Sequence, residues 1–165
     1  MKKELKQFIV NDQQHYYRSV ISISKRLRTA KSKNKKSIID YVVIFFLTRR
    51  RNSLCAKRNV WIQGEVGNNL HIYHPNVIIN HYAKIGNNAI FHGNNCIGNN
   101  GKRDTDCPTI GDNVDIGYGA CIYGKVIIAN NVTIGAGSVV VRSITEDNVV
   151  VAGVPAKIIA KKEAA

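Results

Sequence analysis

In the second half of the chain, aliphatic residues recur every six positions. From Ile110 to Thr145 the sequence divides into six units, IGDNVD, IGYGAC, IYGKVI, IANNVT, IGAGSV and VVRSIT. An aliphatic residue opens every unit, and a small or aliphatic residue follows four positions later. Neither an α-helix nor an ordinary strand has this period, whereas a parallel β-helix stacks the first residue of each hexad in its core. The pattern therefore predicts a mainly β protein with a parallel β-helix.

The same register continues upstream with two irregularities. Inward positions are predicted, with a slip of one residue after the third, at Val60, Val66, Ile72, Ile79, Ile85, Phe91 and Ile97. Ile97 and Ile110 are thirteen positions apart, so about seven residues are inserted between them. Insertions in solenoids form loops on one face, which is often the binding face. We therefore expect residues 99–107 to form an extruded loop beside the functional site.

The turns of the coil also have a signature. Asn and Gly tolerate the left-handed backbone of tight corners. Pairs of asparagines stand between the hexads at Asn68-Asn69, Asn87-Asn88, Asn94-Asn95, Asn99-Asn100 and Asn130-Asn131. We expect them at the corners of the β-helix.

Charge divides the chain into two parts. Residues 1–58 contain sixteen Lys and Arg and three acids, which accounts for the whole formal charge of +13, and residues 59–165 contain eight of each sign. The apolar residues of the basic part recur at helical spacing, at Leu5, Phe8, Ile9, Val20, Ile21, Ile23 and Leu27. The sequence predicts a basic α-helical segment at 1–58 and a β-helical domain at 59–165, with a C-terminal cap. Because a β-helix leaves its lateral faces exposed, we expect an oligomer.

Targeting signals and metal motifs are not evident in the sequence. The apolar run from Tyr41 to Leu47 has seven residues, and crossing a bilayer needs about 20. The Lys-rich start is not followed by the apolar region and cleavage site of a signal peptide. The four cysteines lack zinc-site spacing, and we interpret them as reduced thiols. These observations predict a cytoplasmic protein with no metal site.

Three roles are open for the basic helices. They can form a solvated cap that helps oligomer assembly, in which their charge serves solubility. They can attach the protein to the inner face of an anionic membrane, because basic residues beside an apolar patch favour that surface. Nucleic-acid binding is the least favoured role, because no recognition motif accompanies the aromatic residues among the charges.

Histidines are concentrated before the insertion. His71, His74, His81 and His92 all precede it, although a single histidine in a β-helix is usually a surface or corner residue. One coil takes about eighteen residues, so His74 and His92 are predicted to line one groove, which the inserted loop covers. An imidazole with a pKa near 7 can accept the proton of an alcohol that acts as a nucleophile.

Several consecutive stretches resemble the hexapeptide-repeat acyltransferases. They are HPNVIINHYAKIG from His74 to Gly86, then HGNNCIGNNGK, CPTIGDNV, IGYGACIYGKVIIANNVTIGAGSVVV and AGVPAKII. The resemblance covers residues 59–160 and is closest to serine acetyltransferases and to their relatives that O-acetylate surface polysaccharides. It implies a left-handed parallel β-helix, a homotrimer, and acetyl-CoA as co-substrate between neighbouring subunits. No permanently bound cofactor, metal or covalent nucleophile is implied.

The resemblance also implies roles for individual residues. His74 matches the family's histidine base, which deprotonates the acceptor hydroxyl. The acceptor-binding or assisting candidates are His92, Asp106, His81 and Asn59. The candidates for binding acetyl-CoA are Gly98, Asn99, Lys102, Gly117, Tyr118, Gly119, Ala120, Ala136, Gly137, Arg142 and Lys157.

Two departures from the serine acetyltransferase pattern bear on the acceptor. Asp106-Cys107 stands where that branch has an Arg-His pair, and Asn59 falls near the position of the acidic partner of the base. An aspartate repels a carboxylate substrate and can bind sugar hydroxyls. We therefore predict a saccharide acceptor destined for capsule or O-antigen. The alternatives are a serine O-acetyltransferase in which Arg103 or Lys102 holds the serine carboxylate, and a non-catalytic trimeric scaffold.

Overall fold

The protein has two units, Met1–Arg58 and Asn59–Ala165, the first helical and the second a parallel β-helix of about five turns. The computed structural model describes the backbone of residues 2–163 and the side chains of residues 15–163. The predicted core side chains of Leu5, Phe8 and Ile9 lie outside the described side chains. The mainly β fold preceded by helices, which the hexad pattern and the spacing of the first segment predict, is confirmed.

Over residues 2–58 the structure has two helices, α1 (Lys2–Ser32) and α2 (Ile38–Arg58). Among its described side chains, the buried hydrophobic core is made by Tyr17, Val20, Ile23, Leu27 and Cys55. The apolar spacing that predicted a helix in α1 therefore also marks its buried face. Within residues 2–163, neither helix combines the length and the apolar character needed to cross a membrane.

A capping box begins α2. The amide of Asp40 donates to Ser37 Oγ at 3.2 Å, and the amide of Ser37 donates to the Asp40 carboxylate at 2.9 Å. Lys33 Nζ lies 2.6 Å from the same carboxylate. The hydrogen bond from Lys33, followed by those from Ser37, lowers the pKa of Asp40 to about 2. This carboxylate is therefore ionised and fully engaged at neutral pH.

Within residues 59–163, fifteen strands build three sheets. Sheet A has the order β1-β4-β7-β10-β13, sheet B β11-β8-β5-β2, and sheet C β15-β14-β12-β9-β6-β3. All neighbours pair in parallel except β14 and β15, which form the C-terminal hairpin. The strands are β1 Val60–Ile62, β2 Glu65–Val66, β3 His71–Ile72, β4 Val77–Ile79, β5 Lys84–Ile85, β6 Ile90–Phe91, β7 Asn95–Gly98, β8 Thr109–Ile110, β9 Asp115–Ile116, β10 Cys121–Tyr123, β11 Ile127–Ile128, β12 Thr133–Ile134, β13 Val139–Val140, β14 Val149–Gly153 and β15 Ala156–Lys161.

The inward ladders follow the predicted hexads from Val66 onward, and the first coil differs. Val60 pairs with Val77, and Ile62 pairs with Ile79. Ile62 therefore occupies the position predicted for Val60, although both are fully buried. The slip of one residue between Ile72 and Ile79 appears as steps of nineteen residues in sheets B and C, from Val66 to Ile85 and from Ile72 to Phe91. The step from Ile62 to Ile79 in sheet A is seventeen residues.

The inserted segment leaves the coil where predicted. Ile97 pairs with Ile122, twenty-five residues further on, whereas the next step of the ladder, from Ile122 to Val140, takes eighteen. Residues 99–107 lie between β7 and β8 and contain no strand. They therefore project from the corner that joins sheet A to sheet B.

Asparagines hold the corner that joins sheet B to sheet C. Asn69, Asn88 and Asn113 all have positive φ, and their side chains are hydrogen-bonded from coil to coil at 3.0 and 2.9 Å. The sequence therefore uses Asn both for its left-handed backbone and for a side-chain ladder.

Phe91 is the largest aromatic side chain of the β-helical core, and it is completely buried in sheet C. We expect Phe91→Ala to lower the free energy of unfolding by about 3–5 kcal/mol, because it removes apolar contacts and leaves a cavity. Urea unfolding at fixed protein concentration measures the change. Phe46→Ala is the matched control, because Phe46 is 64% exposed, and it should change stability by less than about 0.5 kcal/mol. Equal effects of the two substitutions would contradict the assignment of this core.

Candidate active site

Half of the sixteen predicted site residues lie at one corner of the β-helix. The C-to-A corner is the column that joins sheet C to sheet A, formed by residues 73–76, 92–94, 117–120 and 135–138. His74 stands in its first coil, Gly119 in the third and Gly137 in the fourth. Because coils stack in register, these residues form a continuous edge along the solenoid.

His74 projects from this corner into solvent. It stacks on a glycine of the next coil, because a Cβ on Gly93 would lie 2.6 Å from the His74 Cβ. The ring of Tyr118 lies edge-on at 6.2 Å between centroids. Among the described residues no carboxylate forms an ion pair with His74. The imidazole is therefore accessible to a substrate.

Asn59 supports the His74 corner through a side-chain hydrogen bond. Its Nδ2 donates to Asn76 Oδ1 at 2.7 Å, and both asparagines have positive φ. Asn76 is two residues after His74. The residue that falls near the predicted position of the acidic partner thus fastens the turn that carries the imidazole.

His92 has the carboxylate partner that His74 lacks. Its Nε2 lies 2.8 Å from Asp115 Oδ1, with both side chains about 40% exposed. The ring of Tyr73 lies 5.2 Å from the His92 ring. His92 directly follows β6, and Asp115 begins β9, which is the neighbour of β6 in sheet C. The sequence did not single out Asp115.

The register corrects the predicted stacking of the two histidines. His71 pairs with Ile90, nineteen residues further on, so His92 lies beside Tyr73 and His74 lies over Gly93. His74 and His92 consequently share the C-to-A corner but have different immediate neighbours. The ring of His71 continues the cluster, with its centroid 4.4 Å from that of Tyr73. Burial, and then the nearby His92, lower the pKa of His71.

A buried asparagine joins the coils beneath these histidines. Asn95 is 1% exposed, and its Oδ1 accepts the amide of Gly93 at 2.9 Å. Its Nδ2 donates to the carbonyls of Gly117 and Ala120, at 2.8 and 3.1 Å. Asn95 therefore fixes the C-to-A corner, a role that the hexad pattern alone cannot reveal.

The inserted loop lies at the other end of the sheet A strands. His81 and the loop belong to the A-to-B corner, formed by residues 80–83, 99–108, 124–126 and 141–143, with Gly98 at the adjoining end of β7. His81 contacts the Tyr82 ring at 4.9 Å between centroids. Within this chain the loop does not cover His74 and His92, because they flank the opposite ends of these strands. The predicted covering of the histidine groove is therefore wrong for the single chain.

Asp106 and Cys107 end this loop in different environments. Asp106 Oδ2 lies 4.0 Å from Arg103 Nε, and the Arg103 side chain is 79% exposed. Cys107 is buried, its thiol donates to the Asp104 carbonyl, and burial raises the pKa of the thiol. A thiol with a raised pKa is a poor nucleophile at neutral pH. We therefore assign Cys107 a structural role at the end of the loop, where its thiol bonds the Asp104 carbonyl.

The predicted acetyl-CoA residues fall into two groups. The C-to-A corner holds Gly117, Tyr118, Gly119, Ala120, Ala136 and Gly137, and the A-to-B corner with its adjoining strand end holds Gly98, Asn99, Lys102 and Arg142. Lys157 is exposed on β15 and pairs with Ala152. Gly98 and Asn99 also line a cavity of about 300 Å³ over the outer face of sheet A, together with Trp61, Gln63 and Tyr123.

The glycines of the C-to-A corner differ in the room around them. A Cβ on Gly117 would lie 2.5 Å from the Ala136 amide nitrogen, so Gly117 is required by the packing of coils. Gly137 has φ +66° and no neighbouring atom within 4 Å of such a Cβ, and Gly119 has φ +73° and no neighbour closer than 3.9 Å. Gly119 and Gly137 thus leave an open track along the corner.

These features suit acyl transfer by an imidazole base. An accessible histidine and an open track provide a proton acceptor and space for an extended thioester. No group of three His, Cys, Asp or Glu side chains in the described part of the chain is arranged to hold a metal ion.

Sequence comparison found no matching family model and no matching curated protein. Comparison of the fold with solved structures found many matches. The serine acetyltransferase of Neisseria gonorrhoeae is 31% identical, with a TM-score of 0.66 over 73% of this chain and 49% of that enzyme. The soybean serine acetyltransferase apoenzyme is 27% identical, with a TM-score of 0.58 over 86% of this chain and 68% of that one.

A third structure was solved with a ligand. The serine acetyltransferase of Brucella abortus in complex with coenzyme A is 20% identical, with a TM-score of 0.66 over 95% of this chain and 73% of that one. The chain spans about half the length of the Neisseria enzyme. The solved structures that this chain resembles are thus serine acetyltransferases, which belong to the left-handed β-helix acyltransferases.

Proposed function

We propose that the β-helical unit is an acetyl-CoA-dependent O-acetyltransferase with His74 as its general base. The observation that carries this proposal is the exposed His74 imidazole on a glycine-rich corner of the β-helix. The sequence is 31% identical to that of a serine acetyltransferase in a structural match that covers 73% of the chain. The structure of a neighbour with coenzyme A supports the choice of acyl donor. Nothing permanently bound is needed for this chemistry.

The reaction is a direct transfer in this proposal. The acceptor oxygen forms a bond to the thioester carbonyl carbon while His74 takes the hydroxyl proton. In this proposal, N–H donors at the site stabilise the tetrahedral oxyanion. The carbon–sulfur bond then breaks, and the imidazolium returns the proton to the sulfur, which releases coenzyme A and the acetyl ester. In this proposal His92, which contacts Asp115, orients the acceptor.

We propose a homotrimer with its sites between subunits. The two groups of predicted residues lie at opposite ends of the sheet A strands, so one chain does not assemble them. The outer row of sheet A is largely apolar, with Trp61, Ile78, Cys96, Cys121 and Val139 in register. Burying this row around a threefold axis would bring the C-to-A corner of one subunit to the A-to-B corner of the next.

L-Serine is the acceptor that the comparisons support best, because the similar solved structures are serine acetyltransferases. Its carboxylate needs a cation. Lys102 and Arg103 are exposed in the inserted loop, and in the proposed trimer this loop approaches the histidines of a neighbouring subunit. These two side chains are the candidates to hold the serine carboxylate.

A saccharide of capsule or O-antigen is the second acceptor, and the loop favours it. Asp106 is the carboxylate paired with Arg103, so one of the two candidate cations is already partly neutralised. A carboxylate in this position repels the carboxylate of an amino acid and accepts hydrogen bonds from sugar hydroxyls.

Coenzyme A release from acetyl-CoA distinguishes these proposals. With L-serine and surface polysaccharide repeat units as parallel acceptors, we expect one of them to accelerate release at least tenfold over water, a change of about 1.4 kcal/mol in the barrier. Acceleration by serine supports the amino-acid acceptor, and acceleration by the saccharide alone supports the polysaccharide acceptor. Absence of coenzyme A binding by calorimetry would contradict the enzyme and favour the trimeric scaffold.

A further inference from the structure

Helix α2 exposes a continuous apolar surface. Seven of its large hydrophobic side chains are between 43% and 83% exposed, namely Ile38, Ile39, Tyr41, Val42, Val43, Phe45 and Phe46. We call this set the α2 apolar face. A contiguous apolar surface of this kind marks an interaction site, whereas apolar residues scattered singly over a surface do not.

Basic residues border the α2 apolar face at both ends. Lys33, Lys35 and Lys36 precede the helix, and Arg49, Arg50 and Arg51 follow the face within it. The one acid of residues 15–58 is Asp40, and it is engaged by Lys33 and Ser37. Within residues 15–58 the one carboxylate is therefore already paired, and the other charged side chains are basic, which favours an anionic surface.

Helical geometry places part of this charge on the apolar side. Tyr41, Phe45 and Arg49 are spaced by four residues and so lie along one line of the helix. The Arg49 guanidinium lies 5.8 Å from the centroid of the Phe45 ring. Two aromatic rings and an arginine thus lie on one side of the helix, so positive charge borders its apolar surface along the side as well as at the ends.

We propose that α2 docks on an anionic lipid bilayer with its apolar face at the boundary between headgroups and acyl chains. The ten residues from Ile38 to Leu47 span about 15 Å as a helix, half of the hydrocarbon core of a bilayer. They fit a helix that lies on the surface, with the flanking lysines and arginines on lipid phosphates. A second copy of the chain is a poorer occupant, because pairing two such faces would bring their basic borders together.

The test is flotation of the full chain with vesicles of phosphatidylcholine and phosphatidylglycerol, compared with vesicles of phosphatidylcholine alone. We expect binding to the anionic vesicles, weakened by added salt. Phe45→Ser with Phe46→Ser should weaken binding at least tenfold. Arg49→Gln with Arg50→Gln should weaken it roughly 30-fold, from about 1 kcal/mol per basic residue near the surface.

Ile127→Ser is the matched control, because Ile127 and Phe45 are both 56% exposed, and it should leave binding unchanged. The helix content of each variant is followed by circular dichroism, and the arginine variant decides the outcome if the phenylalanine variant unfolds. Binding unaltered in the arginine variant would overturn the proposal. The proposal would also be overturned if the parent protein did not bind vesicles and the phenylalanine variant lost its oligomeric state. The α2 apolar face would then be assigned to contacts between copies of the chain.

Discussion

His74→Ala should lower kcat for acetyl transfer by about 10²- to 10⁴-fold, the usual contribution of a general base. The side chain is exposed and packs through its Cβ on Gly93, so alanine keeps the atom that the coil contacts. The oligomeric state and the melting temperature should therefore be those of the parent protein. Coenzyme A release, measured with the acceptor identified for the parent, gives kcat and KM separately.

His92→Ala is the matched control for this prediction. In the proposed mechanism His92 orients the acceptor, so its loss should act mainly on the acceptor KM, and Asp115→Asn should have the same but smaller effect because it weakens the 2.8 Å contact. If His74→Ala retained activity and His92→Ala lost it, the base would be His92, with Asp115 as the group that orients its imidazole.

The hexad pattern predicted the β-helix because its period is the geometry of the coil. Each inward residue stacks on its counterpart in the next coil, so one repeated apolar position defines the core, as at Ile116 and Ile134. The first coil was harder to predict, since both Val60 and Ile62 are buried. The six-residue spacing alone cannot decide which of two buried residues on the same strand begins the ladder.

The site could be predicted only in part, because coil length is not constant. A separation of eighteen residues predicted that His74 and His92 line one groove, but the local register is nineteen, so the two side chains have different neighbours. The contact between Asp115 and His92 could not be predicted from an eighteen-residue coil either, because the inserted residues separate the two by twenty-three positions. The resemblance named the residues of a site, and the topology then placed them at two corners.

Gly119→Asn combined with Gly137→Asn should raise KM for acetyl-CoA about 100-fold, which corresponds to about 2.7 kcal/mol of lost binding. The proposed acyl donor runs along the open track beside these glycines, and an Asn side chain would occupy it. The fold should tolerate the change. Neither position has an atom within 3.8 Å of an added Cβ, and eight asparagines of the described chain already adopt φ between +49° and +62°.

This double variant tests whether acetyl-CoA lies along the open track, because KM and the melting temperature are measured separately. An unchanged melting temperature with a raised KM for acetyl-CoA, and an unchanged acceptor KM, would place the thioester along the C-to-A corner. Gly117→Ala provides the contrast, since its Cβ would meet the backbone of the next coil at 2.5 Å and should lower the melting temperature. If Gly119→Asn with Gly137→Asn left KM for acetyl-CoA unchanged, the thioester would have to lie elsewhere, and the cavity beside Gly98 and Asn99 would become the site to test.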